Sequence, residues 1–256
     1  MLGTIAYDEL CVFNGFIQIF NLEGKRILEI GGSLPEESVL SKGIEEWHSV
    51  DPRNKKTEKK GKYTYYQGIA SSIPVEDNYF DYVFSSNAFE HINNLSETMQ
   101  EIKRVLKPGG SLYTHFGPIW SAPDGHHLED VEIDGKMMNF WEDYIIPHWA
   151  HLLFNEKELS HLLSKTFSKE HANKIANFVY HTKWVNRLSF EDYIQIFMES
   201  GLRLCHLETT EQVDYPYVHP DYGISQEEIR LRLEKEYKGK NKKNIQCRDI
   251  LAILTK

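Results

Sequence analysis

Short apolar runs alternate with segments of helical period between residues 26 and 116. "RILEI" (26–30) runs into a pair of glycines and reads as a short buried strand. "WHSVD" (47–51), "KYTYYQ" (62–67), the run within "YFDYVFSSNAF" (79–89) and "SLYTHF" (111–116) repeat that signature. Residues 96–110 carry Met99, Ile102, Val105 and Leu106 at helical spacing, and "KPGG" closes that helix. Ser33 and Glu36 have the spacing of a capping box around Pro35, so another helix is expected to start near Leu34. Strands alternating with helices predict a parallel sheet with right-handed crossovers.

The alternation breaks after the fifth strand. Residues 119–188 are rich in Trp, His, Tyr and Phe and read as helices and loops. Within them "FNEKELSHLLSKTF" (154–167) is a capped helix with Leu159, Leu162, Leu163 and Phe167 on one face, fit for a core or a lid. The pattern resumes at "LSFEDYIQIFMESGLRL", a helix stopped by Gly201 and a sixth strand to about Glu208; "RDILAILTK" reads as the last strand. "CVFNGFIQIF" (11–20) reads as a helix ahead of the core. The expected fold is α/β, a doubly wound, seven-stranded, mostly parallel sheet. Its expected parts are an N-terminal helical extension (1–24), a core (25–118 and 189–256) and an α-rich insertion after strand five (119–188).

Charge narrows the partners. The 256 residues carry 29 basic and 38 acidic side chains, a net −9 that repels nucleic acid phosphates. The basic runs 53–62 and 238–243 read as solvated loops. Cys11, Cys205 and Cys247 are far apart, with no CxxC spacing, which fits a reducing compartment. No window approaches 18 consecutive apolar residues, and no basic region precedes a long apolar run at the start, so a cytoplasmic protein without a membrane span is expected.

The glycine pair Gly31–Gly32 is either a tight turn or a place where backbone meets a ligand. Asp51 stands 22 residues after Glu29, at the end of the second strand, where an acid can accept both hydroxyls of a ribose. The third glycine of a dinucleotide fingerprint is missing, and Glu36 and Glu37 in the first helical turn would repel a pyrophosphate. A ligand with a ribose, no phosphates and a positive centre fits better, and S-adenosylmethionine is such a ligand.

"ILEIGGS", "SVD", "GIASSIPVEDNYFDYVFSSNAFEHI", "EIKRVLKPGGSLY" and "LSFEDYIQIFMESGL" together resemble a class I S-adenosylmethionine-dependent methyltransferase of the type 11 kind, over residues 26–118 and 189–208. The resemblance implies a Rossmann-like sheet whose last strand is antiparallel. It implies that Glu29 and Gly31, with Gly32 and Ser33 of the same turn, hold the methionine end. Asp51 would bind the ribose, Ile69 and Ala70 would lie against the adenine with Ser71 nearby, and Ser85 and Ser86 would offer backbone contacts near the amino group. Ile69 replaces an acid often found beside the adenine, so Asp51, Arg53 or a backbone carbonyl would meet the adenine amine. "GPIWSAPDGHH" resembles methyltransferases of bacterial surface-polysaccharide and glycoside pathways, which implies a small-molecule acceptor, a sugar or nucleotide-linked sugar.

A hydroxyl acceptor needs a base, and histidine suits that role near neutral pH. The chain has 12 histidines. His126 and His127 on the loop, His91 after strand four and His115 at the end of strand five are the candidates. The bland alternative is a surface loop with solvated histidines; a divalent metal on His91, His126, His127 and a carboxylate is a third option. Trp120, Trp141, Trp149, Tyr144 and Trp184 offer faces for a sugar or form the insertion's own core. Other functional readings are N-methylation, lipid or quinone methylation with residues 11–20 at a membrane surface, and a donor-binding scaffold without activity. A homo-oligomer stays open.

Overall fold

The computed structural model describes residue 6 and residues 8–32, 34–211, 220–237 and 242–256. The chain divides into two compact units, one formed by Met1–Gly117, Asp192–Thr210 and Asp249–Lys256, the other by Pro118–Glu191 and Glu211–Arg248.

The first unit is built on β1 (Arg26–Ile30), β2 (Glu46–Asp51), β3 (Glu58–Lys60), β4 (Tyr63–Gln67), β5 (Phe80–Ser86), β6 (Leu106–Phe116), β9 (Arg203–Glu211) and β10 (Cys247–Thr255). They form one eight-stranded sheet in the order β3-β4-β2-β1-β5-β6-β10-β9. β1 pairs in parallel with both β2 and β5, so the direction of winding reverses there, and ligands of open α/β sheets sit at such a reversal. β10 runs antiparallel to β6, as the last strand was expected to.

The eighth strand departs from expectation. Part of the lysine-rich run 53–62, read from sequence as a loop, is β3, antiparallel to β4 with Lys60 opposite Tyr63. Gly61 at φ +59 opens the turn between them. An edge strand needs only backbone pairing and tolerates lysines, so its composition hid it.

Three helix boundaries also shift or change character. α3 (Leu95–Val105) ends before Leu106, which starts β6 instead of extending the helix to 110. Pro108 has no N–H to give the Arg104 carbonyl, which accepts from Asn78 N–H at 3.0 Å, while the Val105 carbonyl accepts from Tyr79 N–H at 2.8 Å. α2 (Glu36–Leu40) has Pro35 as its N-cap with no side-chain cap bond. The Glu36 carboxylate accepts from Tyr65 Oη at 2.5 Å, and the capping box expected with Ser33 falls outside the described residues.

The N-terminal helix α1 (Glu9–Ile19) is part of the core, not an extension from it. Val12, Phe13 and Phe16 are buried against the sheet. Phe13 meets Trp47 edge-on at 5.9 Å between ring centroids, and Phe16 lies 5.2 Å from Phe84. That apolar face is used up inside the unit, which removes the reading of residues 11–20 as a membrane-surface helix. Among the described residues no helix is long and apolar enough to cross a membrane.

The second unit is a hairpin with helices. Residues 211–248 group with the insertion and not with the sheet unit to which they were assigned from sequence. β7 (Glu129–Ile133) and β8 (Lys136–Asn139) form the hairpin, where helices and loops were expected. Asp134 and Gly135 turn it, both at positive φ, and Asp-Gly is among the strongest short hairpin signals. α4 (Ala150–Leu153), α5 (Glu156–Leu163), α6 (Lys169–His181) and α8 (Gln226–Glu236) complete the unit. α5 has the expected capping box between Asn155 and Glu158, and it buries Leu159, Leu162 and Leu163. These leucines share one core with Ile133, Trp149, Ile175, Tyr222 and Ile229.

Phe16 is fully buried among aromatic rings, so Phe16→Ala is expected to lower the unfolding free energy by about 3–5 kcal/mol. Leu10 on the same helix is 46% exposed, and Leu10→Ala should stay within about 0.5 kcal/mol. Urea unfolding followed by tryptophan fluorescence measures both.

Candidate functional site

The turn after β1 is held from below. Glu29 is 2% exposed. Its Oε2 accepts from Trp47 Nε1 at 2.8 Å and Tyr63 Oη at 3.1 Å, and its Oε1 accepts from the backbone N–H of Leu34 at 3.1 Å. The carboxylate expected at the methionine end is therefore turned toward the chain's own donors and shapes the turn. Gly31 sits at φ +76, and a Cβ there would lie 2.5 Å from the Ala88 Cβ. A Cβ on Gly32 would lie 1.8 Å from Ser49 Oγ. The chain needs both glycines for its own packing, so the pair alone does not indicate a ligand.

The stronger indications come from the neighbouring strand ends. Asp51 closes β2 with its carboxylate 3% exposed. Arg53 grips it: the backbone N–H and Nε reach Oδ1 at 2.6 and 3.0 Å, and Nη2 reaches Oδ2 at 2.8 Å. Beyond β4, Ile69 holds an apolar side chain 53% exposed, beside half-buried Ala70 and Ser71. Ser71 Oγ accepts from Asn94 Nδ2 at 2.7 Å.

At the end of β5, Ser85 Oγ donates to the Ile30 carbonyl at 3.1 Å, tying β5 to the turn. Among the described residues, Ser86 Oγ is buried without a hydrogen-bond partner, and so is Asn87 Oδ1. Asn87 stands at φ 45, a conformation asparagine tolerates, and its Nδ2 donates to the Ala6 carbonyl at 3.0 Å. Asn87, Trp47 and Tyr63 were not singled out from sequence; a lone Asn after a strand was the available signal for the first. A buried carboxylate, an exposed apolar side chain and two orphaned buried acceptors fit a ribose, a flat base and a cationic amine in turn.

The candidate histidines fall into two groups. His91, in the first unit, has a side chain 24% exposed and its Nε2 lies 3.9 Å from Glu90 Oε1. His115 closes β6 opposite Ser86 and is 4% exposed. His126 and His127 belong to the second unit and are 3% and 2% exposed, so they are not solvated loop residues. The two adjacent rings are in opposite tautomers. His126 Nδ1 accepts from the Leu128 N–H at 3.1 Å, which places its proton on Nε2. His127 Nδ1 lies 3.0 Å from the Gly125 carbonyl, which can only accept, so the proton is on Nδ1 and the lone pair on Nε2.

Burial, with neighbouring imidazoles adding to it, holds the His126 pKa well below 6.5. His151, whose Nε2 donates to the Trp120 carbonyl at 2.8 Å, is pushed down to about 4, again mainly by burial. Of the aromatics, Trp141 and Trp184 are 48% and 39% exposed. Trp149 is a core residue whose Nε1 donates to the Ile245 carbonyl at 2.7 Å, and Trp120 lies under the Arg187 guanidinium.

These pKa shifts set a pH dependence. In the unfolded chain both imidazoles take a proton near pH 6.5, while in the fold they stay neutral to lower pH. Their contribution to stability is complete above pH 6.5 and is lost as pH falls, for His151 down to about 4. Urea midpoints are expected to fall from pH 7 to pH 5, and His151→Gln should make that fall shallower.

Comparison with known proteins agrees with the sheet unit. A model of the methyltransferase domain (Methyltransf_11) matches residues 42–114. The protein YafE of Escherichia coli, itself uncharacterized, is 43% identical over 65 residues, covering 25% of this chain and 30% of that one. An uncharacterized methyltransferase of Mycobacteroides abscessus is 26% identical over 139 residues, 49% of this chain and 53% of the other. The chain thus spans about half or less of these relatives. Shorter matches reach proteins named as O-, N- and C-methyltransferases. Among solved structures, an S-adenosylmethionine-dependent methyltransferase of Mesorhizobium loti superposes over 100% of both chains with a TM-score of 0.55 at 14% identity, a likeness of fold. The chain carries a methyltransferase domain and has the fold of the class I S-adenosylmethionine-dependent methyltransferases.

Proposed function

We propose that the chain transfers a methyl group from S-adenosylmethionine to a hydroxyl of a sugar or nucleotide-linked sugar, with a histidine as the general base. The observation that carries the methyl-transfer part is the convergence of Asp51, Ile69, Ser86 and Asn87 at the strand ends flanking the reversal of the sheet. Asp51 would accept the ribose hydroxyls and Ile69 would pack on the adenine. The orphaned Ser86 Oγ and Asn87 Oδ1 would accept from the amino group of the methionine end. Glu29 acts through the turn as a positioning residue.

The donor supplies a methyl group already activated by a sulfonium. What remains for the protein is alignment, exclusion of water and removal of the hydroxyl proton. Of the two adjacent histidines His127 suits that last task, because the Gly125 carbonyl holds its proton on Nδ1. In His126 the proton is on Nε2 and the Nδ1 lone pair accepts from the Leu128 N–H, so both ring nitrogens are engaged in other ways. The exposed faces of Trp141 and Trp184 support a sugar acceptor, since aromatic faces stack on the apolar side of a pyranose.

The test is methyl incorporation from S-adenosylmethionine into a panel of nucleotide-linked sugars, read by mass. His127→Asn is expected to lower kcat about 10²–10⁴-fold with S-adenosylhomocysteine binding unchanged, and His126→Asn to keep most of kcat. Asp51→Asn should weaken S-adenosylhomocysteine binding. Turnover on amines or quinols alone would replace the acceptor class. Tight S-adenosylhomocysteine binding with no turnover on any acceptor would leave a scaffold.

A further inference from the structure

Asp51 is unusual in how completely another side chain of the chain occupies it. A carboxylate offers about four lone-pair sites. Here Oδ1 takes the Arg53 backbone N–H at 2.6 Å and Nε at 3.0 Å, and Oδ2 takes Nη2 at 2.8 Å and shares Nε at 3.2 Å. Three N–H groups, one of them shared between the oxygens, thus cover the carboxylate, and the guanidinium stands where a sugar diol would have to lie.

We propose that Arg53 is an internal competitor for the ribose: its guanidinium holds the Asp51 carboxylate in the place of the sugar diol and has to swing away for the donor to bind, so Arg53 sets donor affinity. This rests on the reading of Asp51 as the ribose acceptor.

The exchange is balanced in hydrogen bonds. The backbone N–H of Arg53 belongs to the turn after β2 and stays on Oδ1. Withdrawal of the side chain alone frees one site on Oδ1 and both on Oδ2, and a vicinal diol needs one on each oxygen. The two partners also differ in how easily they move. The Asp51 side chain is 4% exposed and fixed at a strand end, whereas the Arg53 side chain is 65% exposed. A pair with one partner so exposed to water is weakly held. In return, Arg53 keeps a buried carboxylate from standing unpaired before a donor arrives, a state that would be costly.

The arrangement separates two roles that a bare acid would confuse. Asp51 recognises the diol, and Arg53 sets the threshold that a ligand has to pass. A ligand with adenine and methionine parts but no diol would gain nothing by displacing Arg53, so removing the arginine should help only a ligand with an intact ribose.

The full chain and its Arg53→Ala and Arg53→Met variants are titrated calorimetrically with S-adenosylhomocysteine and with its 2′,3′-dideoxy analogue. Both variants are expected to bind S-adenosylhomocysteine about two- to fivefold more tightly than the parent chain, with no gain for the dideoxy analogue. Without ligand the variants should melt at lower temperature, and with saturating S-adenosylhomocysteine they should show a larger upward shift than the parent. The methionine variant keeps the length of the side chain and serves if the alanine variant does not fold. Equal or weaker binding by the variants, or the same gain with the dideoxy analogue, overturns the proposal while leaving the donor site standing. If the parent chain and both variants fail to bind S-adenosylhomocysteine, the reading of Asp51 itself falls.

Discussion

Trp47 of β2, Tyr63 of β4 and the backbone of Leu34 all donate to the one carboxylate of Glu29 at the end of β1. A buried carboxylate is costly unless donors surround it, and here the donors come from three separate stretches of chain. The requirement to satisfy that charge therefore fixes where β2 and β4 stand relative to β1, and where the chain goes after the glycine turn. Gly31 and Gly32 complete the constraint, because a side chain at either would strike Ala88 or Ser49. Everything at the reversal of the sheet is placed by this knot. Asp51 leaves β2 a short step beyond Trp47, and Ser85 is tied back to Ile30.

The same knot explains why the glycine turn is a poor guide by itself. Its residues answer to packing, and its acid faces inward. The features suited to a ligand lie at other strand ends: Ile69, beyond β4 and two strands from β1, stays in solvent, and Ser86 and Asn87, at the end of β5, keep buried acceptors with no partner among the described residues. Acid–base chemistry is a separate matter. His126 and His127 share a loop and a degree of burial, yet Leu128 imposes one tautomer and Gly125 the other. Two backbone groups thus decide which ring nitrogen of each imidazole carries the proton.

Much of the sheet was legible because buried strands must be apolar and because they alternate with helices of a different period. The last strand was legible for the same reason, since it is buried almost throughout, while its antiparallel direction was implied only by the family resemblance. β3 was not, because an edge strand buries little and its lysines look like a loop. The β7–β8 hairpin was hidden although Asp134 and Gly135 mark its turn, because its strands are only five and four residues long and half-exposed. The end of α3 was misplaced by a turn, since Leu106 continues the helical apolar spacing and is claimed by the sheet instead.

By itself the sequence determined the winding of the sheet, the place of its reversal and the acid that stands there, because strand period, turn glycines and the distance from Glu29 to Asp51 are properties of the chain in order. Tertiary structure alone decided what each polar group does. It turned Glu29 inward, laid Arg53 on Asp51, left Ser86 and Asn87 with buried acceptors, and drew residues 211–248 away from the sheet unit. The physical reason is that a hydrogen bond depends on which donor arrives within about 3 Å of which acceptor, and such meetings join residues whose distance along the chain carries no information about them.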